Sequence, residues 1–380
     1  MSNFVCPVCG NNNIHSIGYL NGKPYCRRCI SFKGEEVERK PSYPKKAPIN
    51  LSYELSREQK ELSDKLVDNY KKGINSLVYA VCGSGKTEIV FELISKSIET
   101  GLKVGFVVPR RDVVIELYYR FKYAFPDKQV TAIYGGNTNA LEGDLLILTC
   151  HQLFRYEKYF DVLIFDEVDA FPFKGNEVLE AIFKRALKGK YVMMSATPSK
   201  KLVEQFSKPG FAILYIHTRF HKNPIPVPRY TEALSYFKII VIIKKLRKYQ
   251  LEGKKCFIFV PEVEMSKDLF FVIDKFVKGG NYVSSKREGR EKIIEDFKND
   301  KYFFLITTAI LERGVTVAKL QVIVYKADNS IYDAAALVQI AGRAGRKASC
   351  PDGEVIFLAS KKTQGIERAI NEIKYYNSFL

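Results

Sequence analysis

The sequence predicts an α/β protein of two lobes, each built on a parallel β-sheet, preceded by a small four-cysteine module at the N-terminus. Three observations carry that expectation. From about residue 50 onward, short apolar runs alternate with helical segments, which is how βα units around a parallel sheet read. A break at Thr218 to Tyr230 (TRFHKNPIPVPRY) separates two such series, because its prolines can neither continue a helix nor sit inside a sheet. Four of the eight cysteines fall in the first 35 residues as two CxxC pairs.

Composition narrows the function classes. The chain has 60 Lys and Arg against 42 Asp and Glu, a formal net charge of +18. Such an excess suits a polyanionic partner, since phosphates neutralised by a protein release condensed counterions. An ordinary soluble basic protein is the plainer alternative. The apolar share of 46% is that of a chain with real cores. Its apolar runs, such as Phe237 to Ile243 (FKIIVII), fall far short of the roughly 20 residues that span a bilayer. The start MSNFVCPVCG lacks the charged and apolar stretches of a signal peptide. A cytoplasmic place is expected, with peripheral attachment at the inner face of the cell membrane left open.

The first element, residues 1–35, contains Cys6-x2-Cys9 and Cys26-x2-Cys29 with sixteen residues between the pairs. Each pair forms a knuckle that aims two thiolates at one point, and two knuckles close a tetrahedron around Zn2+. Gly10 and Asn21-Gly22 suit the tight turns this requires. Four thiolates leave no open position, so the metal is structural, contributing on the order of 10 kcal/mol to a segment with little core. His15 as a substitute ligand and a redox-active CxxC are the rivals. Residues 36–49 are polar and proline-bearing and read as a linker.

The first lobe spans residues 50–219, with strands expected at Ser76 to Val81, Val104 to Val108, Leu145 to Leu148, Val162 to Phe165 and Tyr191 to Met194. The first of these runs into Cys82-Gly83-Ser84-Gly85-Lys86-Thr87, with a helix beginning near Glu88. Backbone amides of such a loop hold phosphates, aided by the helix N-terminus. Lys86 would reach the β and γ phosphates of ATP, and Thr87 would ligate Mg2+. Ala80 replaces the first glycine of the simplest such pattern. The fourth strand delivers Asp166-Glu167-Val168-Asp169 to its C-terminal end, the edge where open α/β sheets bind ligands. Asp166 would hold Mg2+ and Glu167 would orient and activate the attacking water. Taken alone, such a strand end is often only a solvated carboxylate pair. Ser195 and Thr197 of Met194-Ser195-Ala196-Thr197-Pro198 can bond to that acidic box.

A hinge is expected at 220–230 and a second lobe at 231–380, with strands at Cys256 to Val260, Phe303 to Ile306, Val322 to Tyr325 and Val355 to Leu358. Here Thr307 to Val315 (TTAILERGV) follows a strand, and Gln339 to Arg346 (QIAGRAGR) comes later. Arg343 and Arg346 stand at i and i+3, which on a helix is one face. Two guanidinium groups supplied to a nucleotide are an arginine-finger arrangement.

Together these strings resemble the ordered motifs of helicase superfamily two, over roughly residues 50–360. Within it the chain is most similar to the ComFA family of late-competence DNA-uptake ATPases. That closer likeness rests on the four-cysteine module, Ala80 to Glu88, DEVDAFP (Asp166 to Pro172), Thr307 to Thr316 and Ala335 to Arg346. The resemblance implies two RecA-like lobes and ATP, Mg2+ and Zn2+ as cofactors. By position it implies that Gln59 reads the adenine, and that Gly83, Ser84, Gly85, Lys86, Thr87, Asp166, Gly314 and Gln339 line the nucleotide. Thr316 stands where many RNA-helicase relatives carry an aspartate, which points away from RNA.

For the nucleic acid, strand ends are the candidates: Arg110 and Arg111, Thr149, His151 and Gln152, and Thr307 and Thr308. Phosphate contacts there would grip without sequence preference, as a travelling motor requires. Solvated arginines and a His151 that only anchors its loop are the alternatives. Ser284 to Arg290 (SSKREGR) is a further basic loop, and the aromatic cluster from Tyr118 to Phe125 is expected to pack rather than stack on bases. The resulting expectation is a single-stranded DNA translocase that pulls transforming DNA through a membrane channel. By resemblance its partners are a ComFC-type phosphoribosyltransferase-like protein and the membrane DNA channel. A replication-restart helicase of the PriA kind and a non-translocating ATPase scaffold are the competing expectations.

Overall fold

The computed structural model describes residues 4–32, 34–284, 287–308 and 317–380. Contacts divide the chain into two compact units, Met1–Ala80 with Gly85–Ile216, and Val81–Ser84 with His217–Leu380.

The first unit begins with a hairpin of β1 (Ile17–Leu20) and β2 (Lys23–Cys26), paired antiparallel. Asn21 and Gly22 join them with φ of 51° and 74°, the left-handed pair that a tight two-residue hairpin turn needs. The stretch read as a linker then runs along the same unit. Val37 bridges to Tyr156, Arg39 pairs with Asp161 at 2.6 Å, Lys45 with Asp144 at 2.5 Å, and Ala47 is fully buried. Its polar, basic composition thus serves ion pairs with the lobe beneath it.

The unit continues as α1 (Arg57–Lys71), β3 (Asn75–Ala80), α2 (Lys86–Ile89), α3 (Phe91–Glu99), β4 (Val104–Val108), α4 (Arg111–Ala124), β5 (Val130–Ile133), β6 (Leu145–Thr149), β7 (Phe160–Asp166), α5 (Glu177–Ala186), β8 (Leu187–Ser195), α6 (Lys200–Phe206) and β9 (Phe211–Ile216). The seven strands lie in the order β5-β6-β4-β7-β8-β3-β9, every pair parallel. Alternation along each strand divides the core between the two faces. Val78, Phe106, Val108 and Ile164 join one cluster, while Leu77, Val107, Leu163 and Phe165 join the other. All five expected strands are present. Two edge strands, β5 and β9, complete the sheet.

The second unit holds β10 (Arg229–Glu232), α7 (Ser235–Leu251), β11 (Lys255–Phe259), α8 (Val263–Asp274), β12 (Gly280–Val283), α9 (Arg290–Lys298), β13 (Phe304–Thr307), β14 (Leu320–Tyr325), α10 (Ala334–Ala341), β15 (Val355–Ala359) and α11 (Gln364–Asn377). Its six-stranded sheet has the order β10-β15-β14-β11-β13-β12, again wholly parallel. The β-prone string FKIIVII lies inside α7. Ile242, Leu246 and Tyr249 recur at helical spacing and are buried against Cys256 and Ile258, so the stripe overrides local propensity. Of the segment expected as a hinge, Arg229 and Tyr230 belong to β10, where pairing with β15 begins once the prolines end. Gly314 and Thr316, with the rest of 309–316, and Ser285 and Lys286 of the basic loop lie outside the described residues.

Candidate nucleotide, metal and nucleic-acid sites

β3 ends at Ala80 and α2 begins at Lys86, with the phosphate-loop sequence between them. Gly83 and Gly85 adopt φ of 86° and 74°, a conformation that a side chain would strain, and Ser84 N donates to Val81 O at 3.2 Å. The helix starts two residues earlier than expected, placing Lys86 in its first turn. In the sheet β8 lies between β3 and β7, so the loops after β3 and β7 leave the same edge. That brings Lys86 Nζ to 3.4 Å from Asp166 Oδ1. Burial pushes the Asp166 carboxyl up, and the Lys86 ammonium opposes it. Glu167, at φ 58°, turns the chain sharply and its N–H donates to Asp166 Oδ1 at 2.8 Å. A lysine paired with a buried carboxylate, beside glycine turns and a helix start, fits a nucleotide phosphate chain with Mg2+ held through Thr87 and Asp166.

Gln59 is buried beside this loop: a Cβ on Gly85 would lie 2.4 Å from its Nε2. Its Oε1 meanwhile accepts from Ser56 N at 2.9 Å, closing a capping box at the start of α1. One amide thus caps a helix and faces the phosphate loop. Two neighbours escaped the sequence reading. Arg120 on α4 pairs with buried Glu88, and Tyr53 approaches Gly85. Neither sits in a motif, so no local signal marks them. Asp169 receives both hydroxyls of the next motif, Ser195 Oγ and Thr197 Oγ1, each at 2.8 Å. The acidic box and the end of β8 are therefore one hydrogen-bonded unit.

In the second unit Gln339 and Arg343 are buried. The two arginines do not share a helix face as expected. α10 ends at Ala341, and Gly342 to Gly345 form turns, with Arg343 N donating to Ile340 O at 3.1 Å. The glycine spacing that marks the motif is what ends the helix.

At the N-terminus the Sγ atoms of Cys6, Cys9, Cys26 and Cys29 all lie within 4.8 Å of one another, with Cys9 and Cys26 at 3.8 Å. A tetrahedron with Zn–S of about 2.3 Å has S···S edges of about 3.8 Å, so the cluster fits zinc. Burial and the neighbouring thiolates push the Cys29 thiol up, a repulsion that a divalent cation relieves. His15 is exposed and outside the cluster. Cys6, Cys26 and Cys29 belong to the same buried cluster as Leu148 and Phe154, and Arg28 pairs with Glu177 at 2.9 Å. The module is seated on the lobe that follows it.

β4 and β6 are neighbours in register, Val108 opposite Thr149, so Arg110 and Arg111 emerge beside Thr149 to Gln152. Arg111 lies over the Tyr134 ring, 5.1 Å from its centroid. Gln152 is buried with its Oε1 taken by Arg155 Nε at 2.7 Å. His151 stacks on Phe32 of the metal module, centroids 6.1 Å apart. Thr307 is buried and donates to Thr308 O at 3.1 Å. On α4, Phe121 packs on Phe91 and Phe106 in the core, whereas Tyr119 and Tyr123 are exposed.

Comparison with known proteins follows this geometry. Residues 52–200 match the family model described as the type III restriction enzyme res subunit, and residues 238–348 match the helicase conserved C-terminal domain. The competence protein ComFA of Bacillus subtilis is 35% identical over 98% of this chain and 85% of its own. The chain belongs to the ComFA family. The ComFA of Streptococcus pneumoniae is 30% identical over 98% of this chain and 90% of its own. Among solved structures, yeast Dbp5 bound to RNA and ADP BeF3 superimposes with a TM-score of 0.61 at 15% identity, covering 86% of this chain and 92% of that one. That likeness shows the RecA-like fold. As a ComFA chain with both helicase domains, the protein is an ATP-hydrolysing, helicase-like motor of the competence system. None of its described helices is long and apolar enough to cross a membrane.

Proposed function

We propose that this ComFA-family chain is a single-stranded DNA translocase that draws transforming DNA through a membrane channel, using ATP and Mg2+. The observation that carries the proposal is the sharing of one sheet edge. The loop with Lys86, the acidic strand end and the basic strand ends at Arg110 and Thr149 all leave the C-terminal edge of the same seven-stranded sheet. The Asp169 bonds to Ser195 and Thr197 tie the acidic strand end to the end of β8, so a change at the nucleotide can be passed along this edge.

In this proposal Lys86 holds phosphate, Asp166 and Thr87 hold Mg2+, and Glu167 positions and deprotonates the attacking water. ATP supplies the phosphoryl group whose transfer to water drives the cycle. Gln59, Gly83, Ser84, Gly85, Gly314 and Gln339 line the nucleotide, and Arg343 and Arg346 offset charge on the transferred phosphoryl group. Arg110, Arg111, Thr149, His151 and Thr308 contact DNA phosphates, while buried Thr307 orders its strand end through the bond to Thr308 O. Gln152 orders its turn through Arg155. Zinc holds the N-terminal module, and a ComFC-type protein and the DNA channel are the partners.

The deciding experiment is steady-state ATPase with single-stranded DNA, duplex DNA and single-stranded RNA at two salt concentrations, followed by displacement of streptavidin from a biotinylated strand. Stimulation by single-stranded DNA that weakens with salt, together with displacement, supports the proposal. Stimulation without displacement favours a scaffold. Preference for forked duplex, with unwinding, favours a replication-restart helicase.

A further inference from the structure

We infer that Arg219 is a positioning residue that holds the Gly342 to Arg346 loop in the shape from which Arg343 and Arg346 act; this rests on the role proposed for those two arginines. Arg219 stands at the entry to the second unit, outside every motif read from the sequence, and is 2% exposed. Its Nη2 donates to Gly342 O at 3.1 Å, and its Nη1 donates to Ala344 O at 3.1 Å and to Gly345 O at 2.7 Å. Those carbonyls lie just beyond the C-terminal end of α10. There the last C=O groups lack partners inside the helix and carry its negative end. A single guanidinium caps the helix and gathers the loop that follows it.

The location is a costly one for a cation. Burial pushes the Arg219 pKa down to about 10, and the charge of Arg346 adds to the fall. Carbonyl dipoles, rather than a carboxylate, supply its hydrogen-bond acceptors. An arginine suits such a place because its planar fork carries five donors aimed in fixed directions, whereas a lysine offers a compact point charge. The loop itself has little slack. Gly345 has φ 60°, and a Cβ there would lie 1.9 Å from Pro351 O and 3.4 Å from Arg219 Nη1. Arg343 N and Ala344 N are both tied back to α10, to Ile340 O and Ala341 O at 3.1 Å each. Of the three carbonyls that Arg219 collects, Gly342 O precedes Arg343, and Ala344 O and Gly345 O lie between Arg343 and Arg346. Moving the carbonyls therefore turns the peptide planes from which Arg343 and Arg346 project.

The test is a double-mutant cycle on the full chain with Arg219→Ala, Arg219→Lys, Arg343→Ala and Arg219→Ala/Arg343→Ala. It reads kcat and KM for ATP, affinity for a fluorescent ATP analogue and Tm. Displacing a catalytic group by about 1 Å can cost about 100-fold in rate, so Arg219→Ala is expected to lower kcat by about 10- to 100-fold. Analogue affinity should stay near that of the unsubstituted protein. The double variant should be slower than Arg343→Ala alone by much less than the factor that Arg219→Ala costs in the unsubstituted chain, because part of that loss passes through Arg343 and only the share acting through Arg346 remains. Arg219→Lys, which keeps the charge and most of the bulk, should fold with an ordinary Tm yet still lose kcat. A kcat for Arg219→Lys equal to that of the unsubstituted chain, or losses that multiply independently in the double variant, would overturn the inference. If Arg343→Ala leaves kcat unchanged, the reading of the arginine motif itself fails, and this inference falls with it. If Arg343→Ala lowers kcat while both Arg219 variants do not, the positioning role alone fails.

Discussion

The phosphate loop after β3 and the arginine loop after α10 are both short, glycine-bearing turns, yet they are held in different ways. The first is shaped mostly by its own backbone, with Gly83 O also accepting from Phe220 N at 3.0 Å. Two glycines with positive φ, one internal amide bond and an immediate return to helix define it, and its Lys86 meets the nearby Asp166. The second is held largely from outside, by Arg219, which lies 123 to 126 positions away in sequence from its three acceptors. A locally determined loop can be recognised from a string of eight residues. A loop determined by a distant side chain can be recognised only as a motif, without its support.

The comparison can be broken most severely at the arginines. Arg343→Ala is expected to lower kcat by about 10³-fold or more while ATP binding persists, the size of effect a finger residue supplies. Loss of binding instead would mean that this loop shapes the nucleotide pocket rather than the chemistry. Next in size, Glu167→Gln should cost on the order of 10² to 10⁴ in turnover, as removal of a general base does, with the fluorescent ATP analogue still bound. Ordinary turnover in this variant would remove Glu167 from its role. Lys86→Ala should cost on the order of 10² to 10³ in kcat and, unlike the other two, weaken nucleotide binding as well. That split between binding and turnover is the kinetic form of the contrast between the loops, and equilibrium titration beside steady-state rates would show it.

The smallest expected effect on turnover lies at the metal module. Cys26→Ser should release zinc, measurable by elemental analysis, and loosen the module while both lobes keep their own melting transition, since the metal stabilises mainly what it ties together. His151 sharpens this prediction, because Phe32 of the module stacks on it. A fall in affinity for single-stranded DNA, with basal ATPase intact, would show that the module also serves the edge proposed to grip the strand. An unchanged affinity would confine it to a structural role.

The residues whose chemistry is local were legible in advance. The CxxC pairs, the glycines and Lys86, the acidic strand end and Ser195 with Thr197 each declare themselves within a few positions, because ligand geometry, φ and strand direction act over that range. The central strands were legible for a similar reason. Burial on both faces demands apolar runs such as Val104 to Val108 and Leu320 to Tyr325.

What the tertiary structure alone decided has one physical character: partners that meet in space but share no spacing in sequence. Arg120 with Glu88, Arg39 with Asp161 and Arg219 with its carbonyls are ordinary charged residues until the fold supplies an acceptor. The edge strands β5, β9, β10 and β12 likewise take their place from the single neighbour each pairs with. FKIIVII, which local propensity would make a strand, is helical because the sheet beneath it offers a surface for one stripe of the helix. The sequence by itself determined which chemistry this protein carries and on which strand ends. The packing decided what holds that chemistry in place, because a hydrogen bond or an ion pair is specified by distance in space and leaves no mark on the order of residues.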